Sequence, residues 1–135
     1  MRDENKRENI RVEIERAQNA IESADLLFKN GYYNDTVSRL YYFALYHVRA
    51  LLFSKGFEPK THEGALKLMS LHFVKTGELE PRYLHIFSRL MKYRGEADYN
   101  PSYVFTSEDY EEFRRDAVSL AEKIKNFLKE KGYLE

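Results

Sequence analysis

An all-α fold of five helices is what this sequence predicts. Three observations carry that prediction. Apolar residues recur at intervals of three and four along almost the whole chain. No alternating stretch of four residues is explained better by a strand than by a helix. Between the periodic stretches, breakers arrive at the spacing of helix ends: Asn30-Gly31, Gly56 with Pro59, Gly77 with Pro81, and Pro101.

The first helix is read from Ile10, Ile14, Ala17, Ile21, Ala24 and Phe28, which step by four and three with charges between them. It is amphipathic, about six turns long, and stops at Asn30-Gly31 through a left-handed glycine. The second, over residues 34–54, is apolar on nearly every side, with Val37, Leu40, Tyr41, Tyr42, Phe43, Leu45, Tyr46 and Leu51 among its members. Such a helix is buried centrally or shared with a partner. Thr61 is placed as the N-cap of the third, whose stripe is Ala65, Leu66, Met69 and Phe73. Pro81 suits the first turn of the fourth, and its stripe Leu84, Phe87, Leu90, Met91 points Arg94 to the same side. Pro101 disfavours helical geometry at Asn100, so residues 99–105 form an aromatic-rich loop. Thr106 or Ser107 caps the last helix, whose inner face is Phe113, Ala117, Leu120, Ile124 and Phe127.

A chain of 135 residues buries about two-thirds of its unfolded surface, and residues 1–135 are expected to form one domain. Its 22 basic and 22 acidic residues balance, so attraction to nucleic acid or to an anionic membrane has to come from a local patch. The absence of cysteine removes disulfides, thiolate metal sites and a cysteine nucleophile, and a reducing cytoplasm is the simplest location. Residues 1–8 are polar after Met1, and no apolar run approaches the ~20 residues of a membrane span.

A bundle rich in acids and histidines invites a di-iron reading through paired Glu-x-x-His motifs. The residues three before His47, His62, His72 and His85 are Ala44, Pro59, Met69 and Arg82, so that pattern is missing. Neither a Gly-x-x-x-x-Gly-Lys phosphate loop nor a Gly-x-Ser-x-Gly elbow occurs. No metal and no cofactor are therefore expected. Three features remain. Arg39 sits inside the apolar second helix, where a guanidinium requires a carboxylate or phosphate partner, and His47 follows two turns later as either a core residue or a base. Lys60-Thr61-His62-Glu63-Gly64 is a helix start, either a plain cap with His62 facing solvent or an anion site. Arg94-Gly95-Glu96-Ala97-Asp98-Tyr99 brings an arginine, a carboxylate one turn on and a phenol to one helix end, as a phosphate site or as a structural latch.

Together, Gly31-x-Tyr33 with Arg39-x-Tyr41-Tyr42, Lys60-Thr61-His62-x-Gly64 and Arg94-x-x-x-Asp98-Tyr99 resemble the HEPN family (higher eukaryotes and prokaryotes nucleotide-binding), in particular its small stand-alone prokaryotic branch. The resemblance covers residues 17–127, with Thr36 where the pattern usually has Ala. The resemblance implies an antiparallel up-and-down helical bundle of four main helices plus a shorter fifth helix, paired as a homodimer, and a partner, a minimal nucleotidyltransferase, in modules that behave as toxin and antitoxin. Active members carry an Arg followed after four to six residues by a His. With Arg94 as that arginine, the His falls at Tyr99, Asn100 or Pro101, and no histidine exists beyond His85. A phenol is a poor base at neutral pH.

The expectation is thus a dimer that binds nucleotide or RNA phosphate through Arg39, Arg94, Tyr99, Tyr103 and His47, and acts beside a nucleotidyltransferase. One alternative is a metal-independent endoribonuclease toxin with Arg94 and Asp98 in the active site, and Tyr99 or His47 as further substitutes for the missing histidine. The other is a purely structural interaction module in which these groups latch the bundle.

Overall fold

The computed structural model describes residues 3–135; Met1 and Arg2, at the head of the polar N-terminal segment, lie outside the described residues. In chain order the elements are α1 (Asp3–Lys29), α2 (Tyr33–Ser54), α3 (His62–Met69), a π-helical turn (Ser70–Val74), α4 (Pro81–Tyr99) and α5 (Ser107–Glu130). Four long helices and one short one form an all-α bundle, with no strand among the described residues.

Local chemistry sets most boundaries. Gly31, at φ 81°, lets Tyr32 N–H donate to the Leu27 carbonyl at 3.0 Å and closes the α1–α2 hairpin. Thr61 accepts from Gly64 N–H at 2.8 Å to cap α3. Thr106, rather than Ser107, caps α5 through a reciprocal box: Asp109 N–H donates to Thr106 Oγ1 at 3.1 Å and Thr106 N–H to Asp109 Oδ2 at 3.0 Å.

Three boundaries differ from the sequence expectation: α1 begins at Asp3 ahead of Ile10, α4 takes in Tyr99, and the third helix changes register. The third helix does not run unbroken through Phe73 but widens at Ser70, where Lys75 N–H donates to the Ser70 carbonyl at 2.9 Å, five residues back. Lys55, just past α2, donates to the His72 carbonyl at 2.6 Å and lies 4.3 Å from the centre of the Phe73 ring. A tertiary contact thus meets the backbone where the register changes.

α2 is the hub, with α1, α3, α4 and α5 all packed against it. Tyr41 stacks on Phe87 of α4 at 5.9 Å between centroids. Phe105, from the loop before α5, is 1% exposed and packs edge-on against Tyr93 and Phe113. Across residues 36–54 every side chain is buried except Arg39, Tyr42, Tyr46 and Arg49. The apolar surface of α2 is therefore covered by the chain's own helices, the first of the two arrangements its sequence left open. Among the described residues no helix is long and apolar enough to cross a membrane.

Candidate functional site

Arg94 extends the inner stripe of α4 one turn beyond Leu90, and its side chain is 20% exposed. Its Nε lies 2.9 Å from Asp98 Oδ2, one turn on, and its Nη2 donates to the Tyr42 hydroxyl at 3.2 Å. Ser38 Oγ donates to the other oxygen of Asp98. Both carboxylate oxygens are thus engaged, and the end of α4 is tied to α2 at two points. The guanidinium carbon lies between three phenol rings, 5.8 Å from Tyr41, 5.6 Å from Tyr42 and 5.8 Å from Tyr99, each within cation–π range.

His62, in the first turn of α3, faces this cluster instead of solvent. Its ring is 5.4 Å from Tyr41 and meets Tyr42 edge-on at 6.1 Å. Burial and the positive charges of Arg94 and Arg49 hold its imidazole below the ordinary histidine range, which favours the neutral ring. Tyr41 is fully buried and its hydroxyl has no hydrogen-bond partner among the described residues. Burial raises its pKa, against the opposing pull of Arg94.

On the other side of Tyr42 and His62 opens a cleft of about 310 Å³, whose cationic lining is Arg16, Arg49 and Lys60. Glu13 of α1, only 4% exposed, holds two of them, Arg16 at 3.0 Å and Arg49 at 3.3 Å. Arg16 in turn lies 4.2 Å from the centre of the Tyr46 ring. Among the described residues no three His, Asp or Glu side chains converge in a way that could hold a metal ion.

The residues singled out from sequence are distributed unevenly around this site. Arg94, Asp98 and Tyr99 are together, with Tyr99 76% exposed at the rim. Tyr103 lies on the loop before α5, packed on Phe105 at 4.5 Å and Tyr93 at 6.2 Å, and its carbonyl accepts from Asn34 of α2. Arg39 is half-buried and has no ion-pairing carboxylate among the described residues; its guanidinium lies over the Tyr42 ring at 4.8 Å. The buried guanidinium expected there is corrected: an aromatic face and solvent accommodate the charge instead of a carboxylate. His47 is corrected more completely. At 1% exposure it lies in the core, its Nδ1–H donates to the Phe43 carbonyl at 2.9 Å, and burial pushes its imidazole down to about 4. It cannot reach a phosphate held by Arg94.

Arg16, Arg49 and Glu13 escaped the sequence reading, Tyr42 entered it only as an apolar residue and a motif member, and His62 was left between a solvent-facing cap and an anion site. A signal for part of this set was present in the spacing of Arg39, Tyr42, Tyr46 and Arg49, which share one helical face. Counting the two tyrosines as core residues concealed it.

Comparison with known proteins matches residues 10–131 to the HEPN domain. Two proteins of Methanocaldococcus jannaschii, each described as a "putative toxin", are similar to the chain: one is 36% identical over 92% of both sequences, the other 33% identical over 90% of this chain and 83% of its own. A UPF0332 protein of Thermotoga maritima is 30% identical over 85% of this chain and 87% of its own.

Proposed function

Because the chain belongs to the HEPN domain family, we propose that it is a toxin-like HEPN protein that binds RNA or nucleotide phosphate at Arg94. In this reading it acts in the cytoplasm as a homodimer, beside a minimal nucleotidyltransferase in a toxin–antitoxin-like module. The two relatives described as putative toxins support the toxin-like part.

The observation that carries the binding reading is the state of Arg94. It is partly solvent-open, held in place by Asp98 and Tyr42, and its Nη1 makes no hydrogen bond to protein among the described residues. A guanidinium so oriented offers donors to a phosphate without first losing a buried partner. Catalysis by Asp98 is disfavoured because Ser38 and Arg94 occupy its two oxygens. Tyr99, exposed beside Arg94, is a stacking surface for a base and an accessible hydroxyl for a nucleotidyltransferase to modify. Tyr32 and Val104, both more than half exposed where the loop after α4 meets the α1–α2 turn, supply apolar surface for a second copy.

The test is fluorescence anisotropy of a labelled 20-nucleotide single-stranded RNA in chelator, with light scattering for mass. Expected results are a species of twice 16.1 kDa, binding that weakens at least tenfold in Arg94→Ala, and an intact RNA. Binding indifferent to Arg94→Ala refutes the proposed site. Robust cleavage abolished by that substitution replaces the reading with an endoribonuclease.

A further inference from the structure

We propose that the one open face of α2 is a track for single-stranded RNA, running from Arg39 past Tyr42 and Tyr46 to Arg49 and ending at Lys60. The inference rests on the phosphate-binding reading above and extends it to residues outside the Arg94 cluster.

Four residues alone keep solvent access between positions 36 and 54, and they are a cation, two phenols and a cation on a single stripe. A buried hub helix would satisfy its packing with alanine or leucine at these places. Instead each phenol carries a guanidinium, Arg39 over Tyr42 at 4.8 Å and Arg16 over Tyr46 at 4.2 Å. The Arg16–Tyr46 pair divides two cavities. On one side lies the cleft of about 310 Å³ with Arg49 and Lys60; on the other, a cavity of about 200 Å³ with Arg39 and Asn19. Neither lining contains an acidic side chain, although the chain has 22 acids. Among the described residues, the one carboxylate paired with these cations, Glu13, is buried beneath Arg16 and Arg49 and holds them in position.

Arg39 and Arg49 are ten residues apart, about 15 Å along the helix axis. That is roughly four times the ~3.4 Å strand rise per stacked nucleotide, so the stripe matches a short oligonucleotide and exceeds a mononucleotide. Guanidiniums laid on phenol rings present flat cationic surfaces on which unpaired bases stack and to which their phosphates pair. A duplex, whose bases are stacked internally, gains nothing from Tyr42 and Tyr46. The track joins the first site at Tyr42, whose hydroxyl accepts from Arg94, so a strand on α2 would bring one phosphate to Arg94.

The experiment measures anisotropy of fluorescein-labelled U12 across a salt series, with UMP and a 12-base-pair duplex as competitors. The variants are Arg39→Gln, Lys60→Gln, Tyr46→Leu and Arg94→Ala. Arg39→Gln and Lys60→Gln lie at opposite ends on solvent-accessible positions, so the fold survives their loss, and circular dichroism checks this. Each is expected to weaken U12 binding severalfold and to reduce the slope of log K against log salt by about 0.7, the increment for one phosphate contact on a single strand. Tyr46→Leu should weaken binding about tenfold through lost stacking, and the duplex should compete poorly. If Arg94→Ala abolishes binding while Arg39→Gln and Lys60→Gln leave it unchanged, the track is refuted and the Arg94 reading stands. If UMP competes as well as U12, the cleft holds a single nucleotide and the track is refuted. If neither wild type nor any variant binds U12, the phosphate-binding reading falls as well.

Discussion

Replacing His47 with leucine should remove most of the acid sensitivity of this fold between pH 6.5 and 4. His47 is 1% exposed on the central helix; its Nδ1–H is bonded to the Phe43 carbonyl and its buried Nε2 is without a partner. Protonating Nε2 would place an uncompensated cation in the core, and burial accordingly pushes the imidazole from its ordinary 6.5 to about 4. Below pH 6.5 the unfolded chain takes up a proton that the folded chain refuses, so stability falls as pH falls. The contribution is complete above pH 6.5 and is lost by about pH 4. A displacement of this size corresponds to about 3 kcal/mol at 1.36 kcal/mol per pH unit. The assay is urea unfolding followed by circular dichroism at intervals across that range, comparing wild type with His47→Leu so that all other titrations cancel. At pH 7.5 the two proteins should differ by no more than ~1 kcal/mol, and by pH 4 the variant should be the more stable by about 2–3 kcal/mol. If His47→Leu loses stability as steeply as wild type, the imidazole is reachable by solvent and its exclusion from the chemistry of the site is wrong.

Two further predictions concern the elements that frame the cleft. Arg49→Ala strands the buried Oε2 of Glu13, while Glu13→Gln leaves two arginines that are 48% and 28% exposed and can rehydrate. Arg49→Ala should therefore cost about 2–3 kcal/mol and Glu13→Gln about 1 kcal/mol by urea unfolding, and the reverse order would contradict the assigned burial. A Cβ on Gly64 would meet Thr61 Oγ1 at 2.9 Å, so Gly64→Ala displaces the cap of α3 and cancels the ~1 kcal/mol that alanine otherwise adds to a helix. In a Thr61→Ala background the same substitution should stabilise by about 1 kcal/mol; additivity of the two substitutions would show that the contact is not made.

The helices and their ends could be read from the chain because they depend on neighbours a few residues away. Gly31, Thr61, Pro81 and Thr106 act on backbone groups within one turn, and the pairing of Arg94 with Asp98 follows from one turn of helix. Each of these is a short-range interaction whose geometry the helical repeat supplies. The surroundings of the functional groups depended on contacts between distant positions. Ser38 meets Asp98 across sixty residues and Arg94 meets Tyr42 across fifty-two, and no local pattern encodes either meeting. Periodicity marked α2 as apolar all round without distinguishing cover by its own chain from cover by a partner. It counted Tyr42 and Tyr46 as core although each is a half-buried ring beneath a guanidinium. It could not separate Arg39, which reaches solvent over a phenol, from His47 two turns on, which does not. Side-chain chemistry is carried by the sequence, but exposure is a property of the packed bundle: which face of a helix remains open depends on where the other four helices come to rest.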